Sequence, residues 1–157
     1  MVLLNNDIEV TSYFNQIFQQ ALDLTMEEFL TTLKDWIDVD VYAWVSPSSN
    51  PWSPYRTFQF KDSWEKTKAE IIGSMIESEI FQNISVMQQF YDGDRGNILV
   101  HEDAENLAEI INSGNDYNFG HAEGEPRPYW DDFKKEVDAK LDVTFIENCR
   151  KLGIDIR

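Results

Sequence analysis

Cysteine, histidine and basic residues are scarce in this sequence. Cys149 is the single cysteine among 157 residues, so no disulfide can form within the chain, and a domain of this size does not need one to hold a core. Only 13 lysines and arginines oppose 29 aspartates and glutamates, which gives a formal net charge of −16. Because affinity for phosphates comes from basic side chains that displace counterions, this composition argues against specific binding of nucleic acid.

Long apolar runs are also missing. No run approaches the roughly 18 residues that a membrane span requires, and the first residues lack the basic and apolar regions of a secretory signal. The sequence contains no internal repeat, low-complexity tract or linker. We therefore expect a single domain over residues 1–157 that is made in a reducing cytoplasm and has no membrane partner.

The negative charge is distributed unevenly. Residues 92–136 carry a formal charge of −8, whereas residues 137–157 sum to zero. Such acidity favours solubility and opposes self-association. It would also keep a surface from adhering to a passing polyanion.

Apolar periodicity predicts two long helices. The first follows a hydroxyl cap at Thr11 or Ser12 and runs for about 25 residues, with an apolar stripe at the spacing of three and four residues typical of a helix. The terminal helix has a similar stripe and stops at Gly153. The stripe of the first helix comprises Phe14, Ile17, Phe18, Ala21, Leu22, Phe29, Leu30, Leu33, Trp36 and Ile37, and that of the terminal helix Trp130, Phe133, Val137, Leu141, Phe145, Cys149 and Leu152.

The sequence between these helices favours strands and loops. A β-leaning run lies at 39–45, and three prolines at 46–55 predict an ordered, partly extended loop. Residues 61–82 fit both helical and alternating spacing; we favour a helical turn near 61–66 and a strand from about 68 to 82 with Gly73 as a bulge or bend. A second strand is predicted at 84–91, a turn at 92–96, a helix from Asp103 to Gly114, and a loop at 115–128.

Sites of catalysis or metal binding are incomplete in this sequence. His121 and Glu123 match the start of a zinc deaminase motif, but the required pair of cysteines is missing. The acidic residues around His101 are typical of a solvated helix start, and the segment after Asp92 has the oxygen ligand and glycine of a calcium loop in the wrong order. Cys149 lies on an apolar stripe, where cysteine is normally inert. We therefore predict no catalytic, metal or cofactor-binding residue and no enzymatic activity.

Several short segments, in this order, resemble one protein family. They are Val41-Tyr42, then Pro51-Trp52-Ser53-Pro54-Tyr55-Arg56-Thr57 leading to Phe60-Lys61-Asp62-Ser63, then Leu107-Ala108-Glu109-Ile110-Ile111-Asn112-Ser113-Gly114, and last Pro126-Arg127-Pro128-Tyr129-Trp130 opening the closing helix. Together with the long first helix, this order is similar to that of the minor neck proteins of long-tailed bacteriophages, the tail-completion or head-tail joining proteins.

The resemblance implies an α+β fold, in which long N-terminal and C-terminal helices pack on a small antiparallel sheet. It also implies a virion structural protein without enzymatic activity or cofactor. Copies of the chain would form a ring between the portal and connector above and the tail tube below, with other neck, connector and tail-tube proteins as partners. The protein would be made in the host cytoplasm and located in the virion neck, where DNA passes through the ring.

The resemblance and the aromatic loops also indicate interface residues, which are Trp52, Tyr55, Arg56, Arg127, Tyr129 and Trp130. The two arginines could pair with acidic groups within the subunit or across a ring interface. Alternatively, Arg127-Pro128 fixes only the angle between loop and helix. A competing interpretation of the whole chain is an acidic DNA mimic that inhibits a nucleic-acid-binding enzyme.

Overall fold

The computed structural model describes residues 7–42, 59–87, 90–92, 97–99, 107–113 and 126–156. Its helices are α1 (Asp7–Trp36), a π-helical segment (Ile37–Tyr42), α2 (Gln59–Asp62), a 3₁₀ helix (Ile84–Met87), α3 (Leu107–Ser113) and α4 (Tyr129–Lys151). Its strands are β1 (Trp64–Lys66), β2 (Glu70–Ile72), β3 (Met75–Glu77), β4 (Ile80–Gln82), β5 (Phe90–Asp92) and β6 (Asn97–Leu99). The predicted α+β class, with long first and last helices, is confirmed.

The described strands pair two by two. β1 pairs with β4, β2 with β3, and β5 with β6. The β2–β3 and β5–β6 pairs are antiparallel hairpins, in which Ile72 faces Met75 and Asp92 faces Asn97. The turn predicted at 92–96 falls between these last two residues, and positions 93–96 themselves lie outside the described residues.

The chain forms two compact units. The first unit comprises Met1–Leu30, Lys66–Phe81 and Val137–Arg157, and the second comprises Thr31–Glu65 and Gln82–Glu136. Neither unit is a continuous piece of the sequence, because α1 and α4 each contribute to both. The single domain expected over residues 1–157 stays a prediction.

Helix α1 begins earlier than the sequence predicts. Its first residue is Asp7, and Thr11 and Ser12 lie inside it, so the predicted hydroxyl cap is wrong. Asp7 and Glu9 instead place carboxylates in the first turn, where they interact favourably with the positive end of the helix dipole. The predicted stripe does supply core residues, which are Ile17, Ala21, Phe29, Leu30 and Leu33.

The β-leaning run is helical where the structure describes it. Residues Ile37–Tyr42 form a π-helical continuation of α1, so the expectation of a strand is wrong there, and residues 43–45 lie outside the described residues. A strand would have turned Val39 and Val41 to the same face. Instead Val39 is 57% exposed, whereas Val41 and Ile37, four residues apart, are buried.

The ambiguous stretch 61–82 contains the end of α2 and four short strands instead of one helical turn and one long strand. The helical turn predicted near 61–66 is present only as α2, which ends at Asp62, and is wrong over Trp64–Lys66, which form β1. The predicted strand from 68 to 82 is divided among β2, β3 and β4. Gly73 has φ of 65° in the turn between β2 and β3, which confirms the predicted bend. The strand predicted at 84–91 is wrong over Ile84–Met87, where the chain is 3₁₀, and strand structure starts at Phe90.

Side chains from α1 hold the β2–β3 hairpin in the first unit. Gln19 Nε2 donates a hydrogen bond to the carbonyl oxygen of Ala69 at 2.6 Å. Oδ1 of Asp23 accepts from Lys66 Nζ at 2.7 Å and from the Ala69 amide at 3.2 Å. The hydrogen bond from Lys66 lowers the pKa of Asp23 below its ordinary value. The chain just before β2 is therefore fixed on α1.

The ends of α3 and α4 agree with the sequence. Helix α3 ends at Ser113, directly before the predicted stop at Gly114, whereas its predicted start at 103–106 lies outside the described residues. After α4, Gly153 has φ of 93°, its amide donates to the Arg150 carbonyl at 3.0 Å, and the Ile154 amide donates to the Cys149 carbonyl at 3.0 Å. This bonding pattern is a Schellman motif, which glycine favours.

Within the described parts of the chain, no helix combines the length and the apolar sequence needed to cross a bilayer.

Candidate functional site

The start of α4 is held by an asparagine from α3. Oδ1 of Asn112 accepts hydrogen bonds from the amides of Trp130 (3.2 Å) and Asp131 (3.4 Å). Its Nδ2 donates to Asp131 Oδ2 at 3.2 Å. The first amides of a helix have no partner within the helix, so Asn112 caps α4 from another segment of the chain. This capping sets where Tyr129 and Trp130 lie in the second unit.

Arg127 is buried just before the helix. It is 7% exposed, and its backbone amide donates to the carbonyl oxygen of Ile111 at 3.0 Å. Its Nη1 donates to the carbonyl oxygen of Val41, in the π-helical segment, at 3.2 Å. A guanidinium group that donates to a buried carbonyl forms a charge-assisted hydrogen bond, which is stronger than a neutral one. Arg127 therefore joins the segment before α4 to both α3 and the π-helical segment.

Tyr129 is the centre of an aromatic cluster. Its side chain is fully buried and packs edge to face against Phe60 (ring centroids 5.6 Å apart) and Trp64 (6.4 Å). Its hydroxyl donates to the carbonyl oxygen of Ala108 at 3.3 Å. Burial raises the pKa of Tyr129 far above its ordinary value, because the ionised phenolate would lose its hydration.

Trp130 lies at the edge of this cluster and is partly exposed. It stacks on Trp64, with ring centroids 5.1 Å apart and ring planes at 22°, and contacts Phe133 at 5.4 Å. Trp64 is 5% exposed, and its Nε1 has no hydrogen-bond partner among the described residues. The stacked pair therefore combines a large apolar contact with one buried N–H group, that of Trp64.

Two carboxylates approach each other in the same unit. Burial raises the pKa of Asp40, and the negative charge of Asp132 raises it further. Oδ2 of Asp40 is buried without a hydrogen-bond partner among the described residues, whereas Asp132 pairs with Lys135 at 2.7 Å. Asp40 is therefore a destabilising group in the folded chain at neutral pH.

The structure brings three of the six predicted interface residues together. Arg127, Tyr129 and Trp130 adjoin one another, and the first two are buried within their own chain, as expected if the segment fixes the direction of the terminal helix. Their contact with sister copies stays a prediction. Trp52, Tyr55 and Arg56 lie outside the described residues.

Two residues that organise this site were not identified from the sequence. The sequence assigns no site role to Trp64, and it distinguishes Asn112 only as part of the segment from Leu107 to Gly114 that resembles the neck proteins. An asparagine in the last turn of one helix is a recognisable capping residue, but its partner helix begins 17 positions later in the sequence and is brought close only by folding.

Among the described residues, no group of three histidine, cysteine or acidic side chains could hold a metal ion. His101 and His121, with the acidic residues beside them and most of the calcium-loop-like segment, lie outside the described residues. Cys149 is buried as predicted, and burial raises the pKa of its thiol, which disfavours the reactive thiolate.

No family model, curated protein or solved structure matches this chain.

Proposed function

We propose that this chain is a bacteriophage virion structural protein of the neck, where a ring of its copies joins the head and connector to the tail. The observation that carries the proposal is the sequence Pro126-Arg127-Pro128-Tyr129-Trp130, the most specific part of the resemblance to the neck proteins. It opens the long terminal helix of an α+β subunit, as the resemblance implies.

The contacts of this sequence support a passive structural role. The guanidinium group of Arg127 donates a hydrogen bond to a backbone carbonyl of the π-helical segment. The hydroxyl of Tyr129 donates one to a backbone carbonyl of α3. Trp130 stacks on Trp64. These side chains therefore fix the start of α4 within the second unit. A subunit that joins two larger assemblies depends on such fixed geometry.

The net charge of −16 is also compatible with a neck through which DNA passes. A lumen lined with carboxylates would repel phosphates and prevent DNA from adhering. Asp131 and Asp132 are ion-paired with Lys134 (2.9 Å) and Lys135 (2.7 Å), so they are poor candidates for this lining. Most other acidic residues of 92–136 lie outside the described residues.

The proposal is tested with particles of the phage that encodes this chain. A strain lacking the chain is examined by negative-stain microscopy, beside the same strain complemented with the wild-type chain. We expect filled heads and separate tails without the chain, and joined virions after complementation. Normally joined virions in the deletion strain would reject the proposal.

The acidic composition also favours the alternative of a DNA mimic. A mimic presents regularly spaced carboxylates, whereas α4 carries Lys134, Lys135 and Lys140 among its acidic residues. A competition assay against a DNA-binding enzyme separates the two functions. Inhibition that is relieved by added DNA would support the DNA mimic. An absence of inhibition would argue against the mimic and favour the neck function.

A further inference from the structure

The outer edge of β2 is open beside Ile71. Ile72 faces Met75 across the two-residue turn Gly73-Ser74, and Gly73 has the positive φ, 65°, that the first position of such a turn takes. The Ile72–Met75 pair therefore closes the turn with hydrogen bonds. Because bonded and non-bonded pairs alternate in an antiparallel hairpin, the amide and carbonyl of Ile71 point away from β3.

The hydrogen bonds of Ala69 agree with this orientation. Ala69 lies two positions before Ile71, so its amide and carbonyl point to the same edge of the strand. They bond to side chains of α1, the amide to Asp23 at 3.2 Å and the carbonyl to Gln19 at 2.6 Å. Among the described residues, the amide and carbonyl of Ile71 have no hydrogen-bond partner outside the hairpin. Helix α1 thus occupies the strand edge at Ala69 and leaves it open at Ile71.

A cleft of about 580 Å³ lies between Ile71 and the first turns of α1. Ile71 lines it from the strand, and Ile8, which is 81% exposed, lines it from the helix. Of the described residues that line the cleft, only Asp7 is charged. The uncharged polar ones are Thr11, Ser12, Asn15, Gln16 and Gln19. All of these residues belong to the first unit.

This lining fits an extended stretch of polypeptide. Hydroxyl and amide side chains can each donate and accept hydrogen bonds, as a peptide backbone does. An extended peptide also adds readily to an open strand edge, where its main chain supplies the hydrogen bonds and its alternate side chains occupy the neighbouring surface. The cleft offers such an edge on one wall and polar side chains on the other.

Residues 1–6, which we call the arm, have the chemistry that this cleft requires. Their sequence, Met1-Val2-Leu3-Leu4-Asn5-Asn6, contains no charged residue, although the whole chain carries −16. Two copies of so acidic a chain repel each other least where both contacting surfaces are uncharged. The arm and the cleft are such a pair of surfaces, and every copy of the chain carries both.

The length of the arm favours the cleft of another copy over its own. The cleft follows α1 from Ile8 to Gln19, which is about 17 Å at the rise of a helix. Six extended residues span about 20 Å and cover that distance. An arm that folded back along its own α1 would use at least about two residues for the reversal, and the remaining four would span only about 13 Å.

We propose that the arm of one copy binds in the cleft of a second copy and adds a strand to the edge of β2. This inference rests on the proposed ring, because a contact between two different surfaces closes into a ring when the rotation allows it. The amide and carbonyl of Ile71 then bond to the backbone of the arm. Val2 and Leu4, which share one side of an extended segment, cover Ile8 and Ile71.

Cross-linking of the full chain with a short bismaleimide identifies which copy fills the cleft. The variant Leu3→Cys/Ser12→Cys has one thiol in the arm and one in the cleft. We expect a ladder of cross-linked dimers and larger species on a denaturing gel. Cross-links that form only within single chains would place the arm in its own cleft and overturn the proposal. An absence of cross-links would overturn it as well.

Two proteins control for chance collisions between thiols. Leu3→Cys/Asp142→Cys has its second thiol at an exposed position of α4 that does not line the cleft. The wild type has only the buried Cys149. Because a bound arm holds its thiol at a high effective concentration, both controls should give at least about tenfold less product than the cleft variant. Equal yields would show that the ladder comes from random collisions and would overturn the contact.

Ile71→Pro tests the strand pairing itself. Proline removes an amide hydrogen that points outward and no bond within the hairpin, so the hairpin should stay folded. Ile71→Ala keeps the amide and is the matched control. In sedimentation over a range of protein concentrations, we expect Ile71→Pro to associate about three- to tenfold more weakly than Ile71→Ala, as the loss of one hydrogen bond predicts. Far-ultraviolet circular dichroism verifies that both variants are folded.

Two results of sedimentation would overturn the contact. These are equal association of Ile71→Pro and Ile71→Ala, and a wild-type chain that stays monomeric at every concentration. Neither decides the neck function, which depends on the morphology of particles lacking the chain. Conversely, virions that join normally without the chain would reject the neck function and leave the measured contact standing.

Discussion

Asn148 donates a hydrogen bond from Nδ2 to Oγ1 of Thr25 at 3.1 Å, and both side chains are fully buried in the first unit. Thr25 donates in turn to the Ala21 carbonyl oxygen at 2.8 Å, and Lys151 donates to Oδ1 of Asn148 at 2.8 Å. This network joins α1 to α4 across 123 positions of sequence. Buried polar groups stabilise a fold only while they are paired, so each member depends on the others.

Replacing Thr25 with valine tests that network. The Asn148 amide loses its acceptor, and we expect Thr25→Val to lower the free energy of unfolding in urea by about 1–3 kcal/mol. Thr25→Ser keeps the hydroxyl and should be less destabilising. In the double variant Thr25→Val/Asn148→Leu the buried amide is removed as well, so its loss should be smaller than the sum of the two single losses. Simple additivity would contradict the coupling.

Tyr129→Phe tests the hydrogen bond to Ala108. Removing the hydroxyl leaves the aromatic packing intact, and we expect a loss of about 0.5–1.5 kcal/mol at neutral pH in urea unfolding. Tyr129→Ala, which also removes the ring from a fully buried site, should lose about 3–5 kcal/mol. Equal losses for the two variants would show that the ring packing contributes little.

The raised pKa of Tyr129 also determines how the free energy of unfolding changes at alkaline pH. Its pKa is raised in the folded chain, so above pH 10.0, the ordinary value, the unfolded state loses this proton first. The group then binds more protons folded than unfolded, and stability falls with rising pH by up to about 1.4 kcal/mol per pH unit from this residue. Tyr129→Phe should make the alkaline decline less steep. An unchanged slope in urea unfolding at increasing pH would contradict the burial of the phenol.

Asp40→Asn should stabilise the protein. Burial and the charge of Asp132 raise the pKa of Asp40 in the folded chain, so its ionised form lowers stability at neutral pH. We expect the variant to gain about 1 kcal/mol at pH 7, where the wild type holds an unpaired buried carboxylate oxygen. The advantage should shrink as the pH falls through the raised pKa, since Asp40 then becomes protonated. Asp142→Asn, at an exposed position of α4, is the matched control and should change stability little.

The thiol of Cys149 should react slowly with thiol reagents in the folded protein. It is fully buried, and burial raises its pKa, so both access and thiolate formation are disfavoured. We expect reaction with an aromatic disulfide reagent to be at least about a hundredfold slower than in urea. A comparable rate in both conditions would mean that the end of α4 opens frequently.

The sequence predicted three of the residues at the start of α4 but not their surroundings. Arg127 and Tyr129 stood out as a scarce cation and a large aromatic side chain, and the structure buries both. Their partners are the carbonyl oxygens of Val41 and Ala108, which belong to segments 86 and 21 positions away. Backbone carbonyls have no sequence signature, so only the folded chain identifies them.

What the sequence determined by itself is the long helices and the end of the last one. The apolar spacing of α1 and α4 is a local pattern, and Gly153 ends α4 because a positive φ suits glycine. Tertiary structure alone decided that 37–42 is helical, that β2, β3 and β4 are separate strands, and that Thr25 meets Asn148. Short apolar runs satisfy both the helical and the strand period, and buried polar groups accept many partners, so the choice depends on segments that only folding brings together.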